Sequence, residues 1–499
     1  MLLALLGGAL LLVGFAGRGA PTSGAAPTRA GVLYAGVSAT PLGRPIPSGF
    51  VGLSMELPAL SAYAGTDPSA LNPLFIALVR QLSPGARPWL RIGGRSADAA
   101  WLPAAGLQTR SPALRFQVTG AWLRVAHAVA AALDAETILD VNMAAGYPAL
   151  ARAEATAMRA VVGPRYIAAF EIGNEPDVYG FLPWYPAPGG AALLARPQAY
   201  AMRDYLAQFS TFRRTLGAGP VAGPAFAGFS WMSQLAAFLA SEPGLALVTF
   251  HQYPLWACQR NPNAANFPSI VNVLRPSSSD GLAAQIAPFA ALAHHTGLRF
   301  RLDELNSAAC TGRRGVSDTF AAALWSLDTL FALAAAGVDG VNIHTLPGAA
   351  YAPFSFEHRG GRWTATVQPL YYGLLAFTRA FPAGARLLRV SAPAGPVKVW
   401  ATTAPDGHVR VVLINEQASA AATFHLRLAG AATPLSEQAL RAPSLQSSAG
   451  VTLGGESFAA NTSSGELPAS SASIAKLTAS ASGFYDIHVP PASALLLTR

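Results

Sequence analysis

Two short acidic stretches hold the residues of this sequence that are best suited to chemistry. The first, "FEIGNEPD" at 170–177, places three acidic residues among eight in a chain of which only 12% is charged. The second, "FRLDELNS" at 300–307, contains an Asp-Glu pair. An apolar run leads into the first stretch, so a buried strand is expected to deliver carboxylates to its own end. Two carboxylates that face one small substrate suit cleavage of a glycosidic bond, because one protonates the leaving oxygen and the other attacks the anomeric carbon.

Strands and helices alternate between residues 50 and 345, and their order determines where the two stretches meet. The predicted strands lie near 50–55, 88–92, 137–141, 166–170, 219–223, 245–250, 298–302 and 340–344, with helices at 121–135, 200–216, 283–296 and 317–336. Eight strands with helical crossovers predict an α/β fold, a (β/α)8 TIM barrel; a doubly wound open sheet is the alternative. In a barrel the carboxyl ends of the strands line one face. Glu175 after strand four and Glu304 at the end of strand seven are therefore expected at the same rim.

The chain is predicted to have four segments. These are a signal peptide or leader at 1–26, an N-terminal segment at 27–45 that adds to a β-sandwich, a catalytic barrel at 46–375 and a C-terminal antiparallel β-sandwich domain at 376–499. Short alternating strands separated by turn residues indicate the sandwich. The Ser-, Ala- and Gly-rich stretch 447–482 is expected to form its exposed loops, and the sandwich is predicted to pack against the barrel rather than to bind sugar on its own.

The beginning of the chain and its two cysteines both indicate export. The sequence is apolar as far as Ala16, about the length of a signal-peptide core and short for a membrane span. No basic residue precedes this run, so an uncleaved anchor or an upstream start are the alternatives. Cys258 and Cys310 lie in polar loops after predicted strands, which indicates a disulfide in an exported protein; two reduced thiols are the cytosolic alternative. A periplasmic or extracellular location is expected, with no stable membrane span after processing.

Composition narrows the class of partner. A hydrophobic content of 52% fits a globular protein with a large core, and the net charge of +9 comes almost entirely from arginine. This surplus fits either affinity for an anionic polysaccharide or a GC-rich coding sequence, and the second is favoured. No arginine cluster with interleaved aromatics predicts nucleic-acid binding. No cofactor or metal is expected, since two cysteines cannot form a structural zinc site and neither His251 nor His344 has an evident third ligand.

Four ordered motifs carry a resemblance to a known family. Asn-Glu-Pro at the end of strand four, with a Glu at the end of strand seven, resembles the retaining barrel glycosidases. "LRIGGRSAD" (90–98), "HQYPLWAC" (251–258) and "DELNSAACTGRRGVSDTFAAALW" (303–325) resemble successive segments of glycoside hydrolase family 79, which contains bacterial β-glucuronidases and heparanase. The resemblance covers the barrel and, more weakly, the sandwich. It implies cleavage of terminal β-linked glucuronic acid from a carbohydrate substrate by double displacement.

The resemblance also implies roles for the residues around the two carboxylates. Glu175 is expected to be the general acid/base and Glu304 the nucleophile. Asn174 is expected to donate a hydrogen bond to the sugar 2-hydroxyl, and Tyr253 to orient the nucleophile. Asp98 resembles a position near the distal hydroxyls of the sugar, with turn capping as an even alternative. Glu56, at the end of strand one, is a weaker candidate of the same kind.

A second group of residues is expected to hold the C6 carboxylate that distinguishes a uronic acid. In "TLPGAAYAPF" (345–354), Gly348 permits an unusual backbone turn and the amides of Ala349 and Ala350 are predicted to form an anion-binding nest. Tyr351 is expected to add a phenol. Cys258 and Cys310 resemble the pair that is bridged in the bacterial branch of the family.

Three further acids and three competing functions complete the prediction. Glu171 is expected to pair with an arginine inside the barrel, Asp177 to cap a helix or turn, and Asp303 to point away from Glu304 in a structural role. An endo-acting heparanase-like enzyme on an anionic polysaccharide and a glycosidase for a neutral sugar are the enzymatic alternatives. A non-catalytic polysaccharide-binding protein is the alternative from another class, although the intact acidic pair favours catalysis.

Overall fold

The computed structural model describes residues 32–103, 112–186, 192–393, 395, 397–468 and 475–499. The predicted leader and residues 27–31 lie outside the described residues. The strands of the first half are β1 (Leu33–Leu42), β2 (Val51–Glu56), β3 (Trp89–Gly93), β4 (Ala100–Trp101), β5 (Phe116–Gln117), β6 (Glu136–Val141), β7 (Ile167–Ile172), β8 (Pro183–Pro186), β9 (Ala192–Leu194), β10 (Val221–Phe226) and β11 (Leu247–Gln252). The remaining strands are β12 (Leu255–Trp256), β13 (Arg299–Leu305), β14 (Ala308–Ala309), β15 (Gly340–Thr345), β16 (Phe354–Arg359), β17 (Arg362–Val367), β18 (Arg386–Ser391), β19 (Val397–Thr403), β20 (Val409–Asn415), β21 (Ala422–Leu428), β22 (Leu435–Arg441), β23 (Thr452–Leu453), β24 (Ala475–Leu477), β25 (Tyr485–Val489) and β26 (Ser493–Thr498).

The helices of the described residues lie mainly between the barrel strands. They are α1 (Leu57–Ala64), α2 (Pro73–Gln81), α3 (Gly120–Leu133), α4 (Pro148–Val161), α5 (Met202–Leu216), α6 (Phe229–Met232), α7 (Leu235–Ser241), α8 (Ile270–Val273), α9 (Asp280–His295), α10 (Phe320–Ala335) and α11 (Pro369–Ala380). Sequence signals set some of their ends. Thr119 caps α3 by accepting the amide of Trp122 at 3.1 Å, and Asp134 closes the helix with a left-handed φ of 47°. Within the described residues, no helix combines the length and apolar character that crossing a membrane requires.

Eight parallel strands close into a barrel in the order β10-β11-β13-β15-β2-β3-β6-β7. This confirms the predicted (β/α)8 fold and excludes the open doubly wound sheet. Every residue of β3 and of β10 is buried, as expected where helices cover a parallel sheet outside and side chains fill it inside. All eight carboxyl ends therefore meet at one rim.

The remaining long strands form one mixed sheet of ten strands, in the order β23-β22-β26-β20-β19-β18-β1-β21-β25 with β24 beside β22. Strand β1 pairs antiparallel with β18 and parallel with β21, so the sheet is not purely antiparallel. Leu435 of β22 and Ile487 of β25 lie near opposite ends of this order yet belong to one apolar core. The sheet therefore curves around that core, which gives it the two-layered character expected of a sandwich.

Helix α10 fixes the curved sheet to the barrel. Residues 320–333 of this helix are all buried, the pattern of a helix that is covered on every face. Trp400 of β19 donates from Nε1 to the Asp328 carboxylate at 2.8 Å, and its ring stacks on Phe331 with centroids 5.5 Å apart. The described part of the stretch 447–482 packs on the same side. Phe458 is only 3% exposed and the amide of Phe320 donates to the Ser447 carbonyl, which anchors the stretch. Many of its described residues, such as 448–450 and 459–461, are exposed as predicted.

A disulfide joins Cys258, after β11, to Cys310, after β13, with the two Cα atoms 5.9 Å apart. The predicted pairing is confirmed. We expect the double variant Cys258→Ser/Cys310→Ser to lose about 4 kcal/mol of free energy of unfolding, because the bond closes a loop with a sequence separation of 52 residues. Urea unfolding measures the difference. Wild type unfolded under reducing conditions is the control and should match the double variant; equal stability of variant and oxidised wild type would contradict the prediction.

Candidate active site

The two predicted carboxylates meet across the mouth of the barrel. Glu175 follows β7, and Glu304 lies near the carboxyl end of β13. One carboxylate oxygen of each, together with a ring nitrogen of His251, lie within 4.8 Å of one another. His251 stands between them, with Nδ1 3.2 Å from Glu175 Oε1 and 3.9 Å from Glu304 Oε2. Two acids that are far apart in sequence therefore face a single small volume.

Glu175 is held in a backbone conformation that residues with a side chain rarely adopt. Its φ is 51°, in the left-handed region, which costs about 1–2 kcal/mol for a residue other than glycine. The amide of Glu175 donates to the Ala225 carbonyl of β10 at 3.0 Å, and this bond to the neighbouring strand holds the turn in place. The carboxylate remains 21% exposed. The strained turn thus presents an acid at the solvent side of the rim.

Glu304 is deeper and is surrounded by hydrogen-bonding groups, among them the Arg91 guanidinium. Arg91 Nη1 donates to Oε2 at 2.6 Å, the Tyr253 hydroxyl donates to Oε1 at 2.6 Å, and His344 Nδ1 lies 3.5 Å from Oε2. Burial by itself raises the pKa of Glu304, but His344, His251, Arg91 and the Tyr253 hydrogen bond together hold that pKa well below its ordinary value. The carboxylate is ionised at neutral pH, as a nucleophile must be.

Arg91 is the centre of a buried charge network that the sequence interpretation missed. Its fully buried guanidinium contacts Glu171 and Asp140 at 2.7 Å, Glu304 at 2.6 Å and Asp303 at 3.4 Å. Burial lowers the pKa of Arg91, but the four carboxylates outweigh burial and raise it, so the side chain stays charged. The ion pair predicted for Glu171 is present. An arginine in the middle of a buried strand was the available signal, because such a charge requires partners.

The predicted orientation of Asp303 is wrong, whereas its buried contact with Arg91 agrees with the structural role expected for it. Its carboxylate lies in the barrel interior beside Arg91, and its Oδ1 is 3.5 Å from His251 Nε2. The cause is an irregularity in strand pairing. Phe250 pairs with Leu302 and His251 with Glu304, so Asp303 is an extra residue, a β-bulge that lets two consecutive side chains point inward. Burial, then repulsion from Glu171, raises the pKa of Asp303 well above its ordinary value.

Asn174 and Asp98 lie on the Glu175 side of the mouth. The Asn174 side-chain oxygen accepts from Arg91 Nη2 at 3.0 Å, which leaves its amide nitrogen to donate to a ligand. Asp98 accepts four hydrogen bonds, from the amides of Met143, Ala144 and Asn174 and from the Tyr179 hydroxyl. Burial, opposed by these bonds, raises the pKa of Asp98 to about 6. Asp98 therefore fixes the backbone next to Glu175, which favours the capping alternative over a contact with the distal hydroxyls of the sugar.

The loop after β15 departs from the predicted anion nest. Gly348 has the expected positive φ of 82°. The Ala349 amide, however, donates to the Leu346 carbonyl at 3.2 Å, and the Ala350 amide donates to the Thr311 carbonyl at 2.9 Å. Both amides are satisfied within the protein, so the prediction that they bind a carboxylate is wrong. Tyr351 is close to the site, with its ring centroid 6.4 Å from that of Tyr253.

Two more groups complete the rim near Glu304. Glu56, at the end of β2, accepts the Ser96 amide at 2.7 Å and lies 4.0 Å from His344. His251 also has more partners than its sequence context indicated, because the trios Glu171–His251–Asp303 and Glu175–His251–Glu304 each gather their ligand-type atoms within 4.8 Å. The reasoning that no third ligand lies near His251 is therefore wrong. The buried trio contacts the Arg91 guanidinium, whose fixed positive charge opposes a metal cation at that place.

The variant Tyr253→Phe is expected to lower kcat/KM by about ten- to a hundredfold, since a hydrogen bond to a charged group contributes about 1.5–3 kcal/mol. Tyr253 is one of the groups that lower the pKa of Glu304, so its loss raises that pKa and moves the acidic limb of the pH–rate profile to higher pH. The measurement is kcat/KM across the acidic to neutral range. An unchanged profile with full activity would show that the phenol has only a packing role.

Comparison with known proteins agrees with this geometry. No protein-family model matches the chain. A curated β-glucuronidase from Aspergillus niger is 24% identical over 411 residues, which cover 74% of this chain and 72% of that protein. The predicted resemblance to glycoside hydrolase family 79 is confirmed. The fold of this chain is similar to that of a 4-O-α-L-rhamnosyl-β-D-glucuronidase from Fusarium oxysporum. The TM-score is 0.67 at 20% identity, and the match covers 93% of this chain and 100% of that one.

Solved structures of enzymes named for other sugars also have the fold of this chain. A family 51 arabinofuranosidase from Xanthomonas axonopodis pv. citri has a TM-score of 0.65 at 14% identity and covers 93% of this chain and 99% of its own. At such identities a structural likeness shows the fold alone. The choice of sugar must therefore be argued from the site.

Proposed function

We propose that this protein is a retaining β-glucuronidase that releases terminal β-linked glucuronic acid from glycosides or glycans. The observation that carries the proposal is the approach of Glu175 and Glu304 oxygens to within 4.8 Å across the barrel mouth. Retaining glycosidases place their two carboxyl groups about 5–5.5 Å apart, whereas inverting enzymes separate them by about 6.5–9.5 Å to admit a water. The sugar is supported by the names of the Aspergillus and Fusarium relatives.

The surroundings of the two acids support different roles. Glu304 has Arg91, Tyr253 and His344 around it, so it attacks the anomeric carbon as a carboxylate. The bond from that carbon to the leaving oxygen breaks, and Glu175 supplies the proton that the leaving oxygen takes up. Glu175 then removes a proton from water, the water oxygen attacks the anomeric carbon, and Glu304 departs as a carboxylate again.

Residues beside the acids position the sugar in this proposal. The side-chain amide nitrogen of Asn174 donates to the 2-hydroxyl of the sugar, a hydrogen bond that strengthens in the transition state. Tyr351, next to Tyr253, supplies the phenol for the C6 carboxylate, and the exposed turn at Gly348 borders that position. Glu56 lies on the same rim and is available to a sugar hydroxyl. The amides of Ala349 and Ala350 are left out of the subsite.

A panel of aryl β-glycosides tests the proposal. We expect the glucuronide to be cleaved at least about 100-fold faster than the glucoside, because a substrate that lacks a bonded group leaves buried polar atoms unpaired. Proton NMR of the first-formed sugar should show the β-anomer. Equal rates on glucuronide and glucoside would remove the uronate subsite, and an α-anomer formed first would remove retention. If an α-L-arabinofuranoside were cleaved fastest, the enzyme would instead be an arabinofuranosidase, as its family 51 structural neighbour is named.

The proposal extends to location. A disulfide between two loops at the rim of the barrel suits an oxidising compartment, which supports export through the predicted leader. Fractionation of the native cells should place the activity in the periplasm or the medium. Activity confined to the cytosol, with both thiols reactive towards an alkylating agent, would contradict export.

A further inference from the structure

A cavity lies beside Glu175, at the edge of the active site. Asn174 and Glu175 line it together with Val178, Leu182 and Trp184, whereas neither Glu304 nor Tyr253 does. A general acid stands between the sugar and the group that leaves with its oxygen, so the volume next to Glu175 and away from Glu304 must receive that group. Resting on the proposed glycosidase function, we propose that this cavity is the leaving-group subsite and that it binds an apolar aglycone, aromatic or alicyclic, in preference to an anionic sugar.

Half of the residues that line the cavity are apolar, Leu182 and Trp184 among them. Trp184 donates from its indole Nε1 to the Asp98 carbonyl at 2.9 Å, which fixes the orientation of the ring. Leu182 lines the cavity and is 42% exposed. Phe181, 63% exposed, and Leu193 of β9, 43% exposed, lie next to it along the chain and on the β8–β9 hairpin. Leu182 is thus an exposed apolar side chain in the wall of a cavity that Glu175 also lines, the kind of surface that a ligand covers.

The charged groups around the cavity already have partners within the protein. Among the described residues that line it, Arg95 is the basic one, and its guanidinium donates to the Pro183 carbonyl. Arg196, on the next stretch of chain, donates to the Gln208 side chain and to the carbonyls of Met143 and Ala144, so its donors are occupied. The carboxylates of Asp98 and Glu175 both border the cavity. A sulfated or uronate-bearing sugar would have to compete with these protein partners for the guanidinium donors.

The test is a series of leaving groups on the glycosyl group that the enzyme cleaves fastest. The leaving alcohols are matched in acidity and comprise naphthylmethyl, cyclohexylmethyl, methyl and a sulfated monosaccharide. We expect kcat/KM for the naphthylmethyl compound to exceed that for the methyl compound by at least about tenfold, and Leu182→Ser and Phe181→Ser each to reduce this ratio by about fivefold or more, the scale of an apolar contact in a pocket. Val271→Ser, which changes an apolar side chain of α8 that is 66% exposed, is the matched control and should keep the ratio.

Several results would overturn the subsite. A sulfated leaving sugar cleaved as fast as the naphthylmethyl compound, and slowed by Arg95→Ala, would assign the cavity to anions. Equal losses on all leaving groups in both serine variants would show that these side chains only support the loop of Glu175. The outcome is separable from the proposed function: if another glycosyl group is cleaved fastest, the glucuronidase proposal fails while the leaving-group ranking is still measured. If no glycoside is cleaved, calorimetric binding of the naphthylmethyl against the methyl glucuronide gives the same ranking.

Discussion

Replacing Glu304 with alanine is expected to lower kcat on an aryl β-glucuronide on the order of 10⁴-fold, the scale seen when one member of a cooperating catalytic group is removed. The carboxylate is the atom group that the structure keeps ionised, through Arg91, His344 and Tyr253. Without it no covalent sugar–enzyme bond forms. The residual rate should come from Glu175 and from binding alone, and it is measured as release of the aryl alcohol.

Chemical rescue makes the assignment more specific than loss of activity. Azide is small enough to enter the space left by the side chain of Glu304→Ala, and attack by azide from that side should give a glycosyl azide of α configuration. Glu357→Ala is the matched control, because Glu357 is an exposed glutamate on β16 that pairs with the exposed Arg359 at 3.2 Å. That variant should keep wild-type kcat. Full hydrolysis by Glu304→Ala would eliminate the assigned nucleophile, and a rescued product of β configuration would indicate attack from the opposite face.

The barrel could be predicted because its signals are local. Most of the eight strands are short apolar runs bounded by turn residues, and nearly all of their residues are buried in the structure, so composition and period agree with the fold. The approach of Glu175 and Glu304 followed from the same reasoning, since parallel strands in a barrel end at one rim. The pairing of Cys258 with Cys310 also followed, because both loops leave that rim at neighbouring strands, β11 and β13.

What the sequence did not reveal depends on pairing between distant residues. The inward turn of Asp303 comes from a bulge in the register of β13 against β11, and no property of "LDEL" indicates it. The occupied amide of Ala350 depends on the Thr311 carbonyl of another loop. The four bonds that fill Asp98 come from three separate segments. In each case the sequence indicated a polar group or an unusual turn. Whether that group faces a ligand depends on a hydrogen-bonding partner from a distant segment.

Charge explains why two neighbouring glutamates can take different roles. Glu304 shares Arg91 with Glu171 and Asp140, whereas Glu175 has His251 as its hydrogen-bonding partner. One guanidinium thus contacts several buried carboxylates, and it cannot neutralise all of them. Some of these carboxyl groups are therefore protonated. Burial raises the pKa of Asp140 well above its ordinary value despite Arg91, as it does for Asp303. Burial also raises the pKa of Glu171, but Arg91 outweighs burial there and lowers that pKa. The network therefore keeps Glu171 and Glu304 ionised beside Arg91 and holds Asp140 and Asp303 neutral.

Arg91→Met is expected to lower the free energy of unfolding by about 3–5 kcal/mol, because removing one partner of a buried ion pair leaves its carboxylates uncompensated. Activity on the glucuronide should be lost at the same time, since Glu304 loses the donor at 2.6 Å that keeps it ionised. Urea unfolding and kcat measure the two effects. Arg359→Met, on an exposed strand with the arginine side chain 83% exposed, is the matched control and should leave both unchanged. Arg91→Lys keeps the charge but cannot reach several carboxylates at once, so its stability should fall between the two.

The pH dependence separates this charge effect from a simple packing defect. In the wild type the pKa of Glu304 is lower folded than unfolded, so its contribution to stability is present above the ordinary carboxylate pKa and is lost as pH falls. In Arg91→Met the buried acids have no cation and bind protons more tightly folded than unfolded, so stability should rise as pH falls from about 7 to about 5. The difference in free energy of unfolding between the variant and the wild type should therefore become smaller as pH falls. A difference of constant size over that range would mean that methionine merely packs badly beside Glu171, and a difference that widens would show that Arg91 is not the counter-charge of these acids.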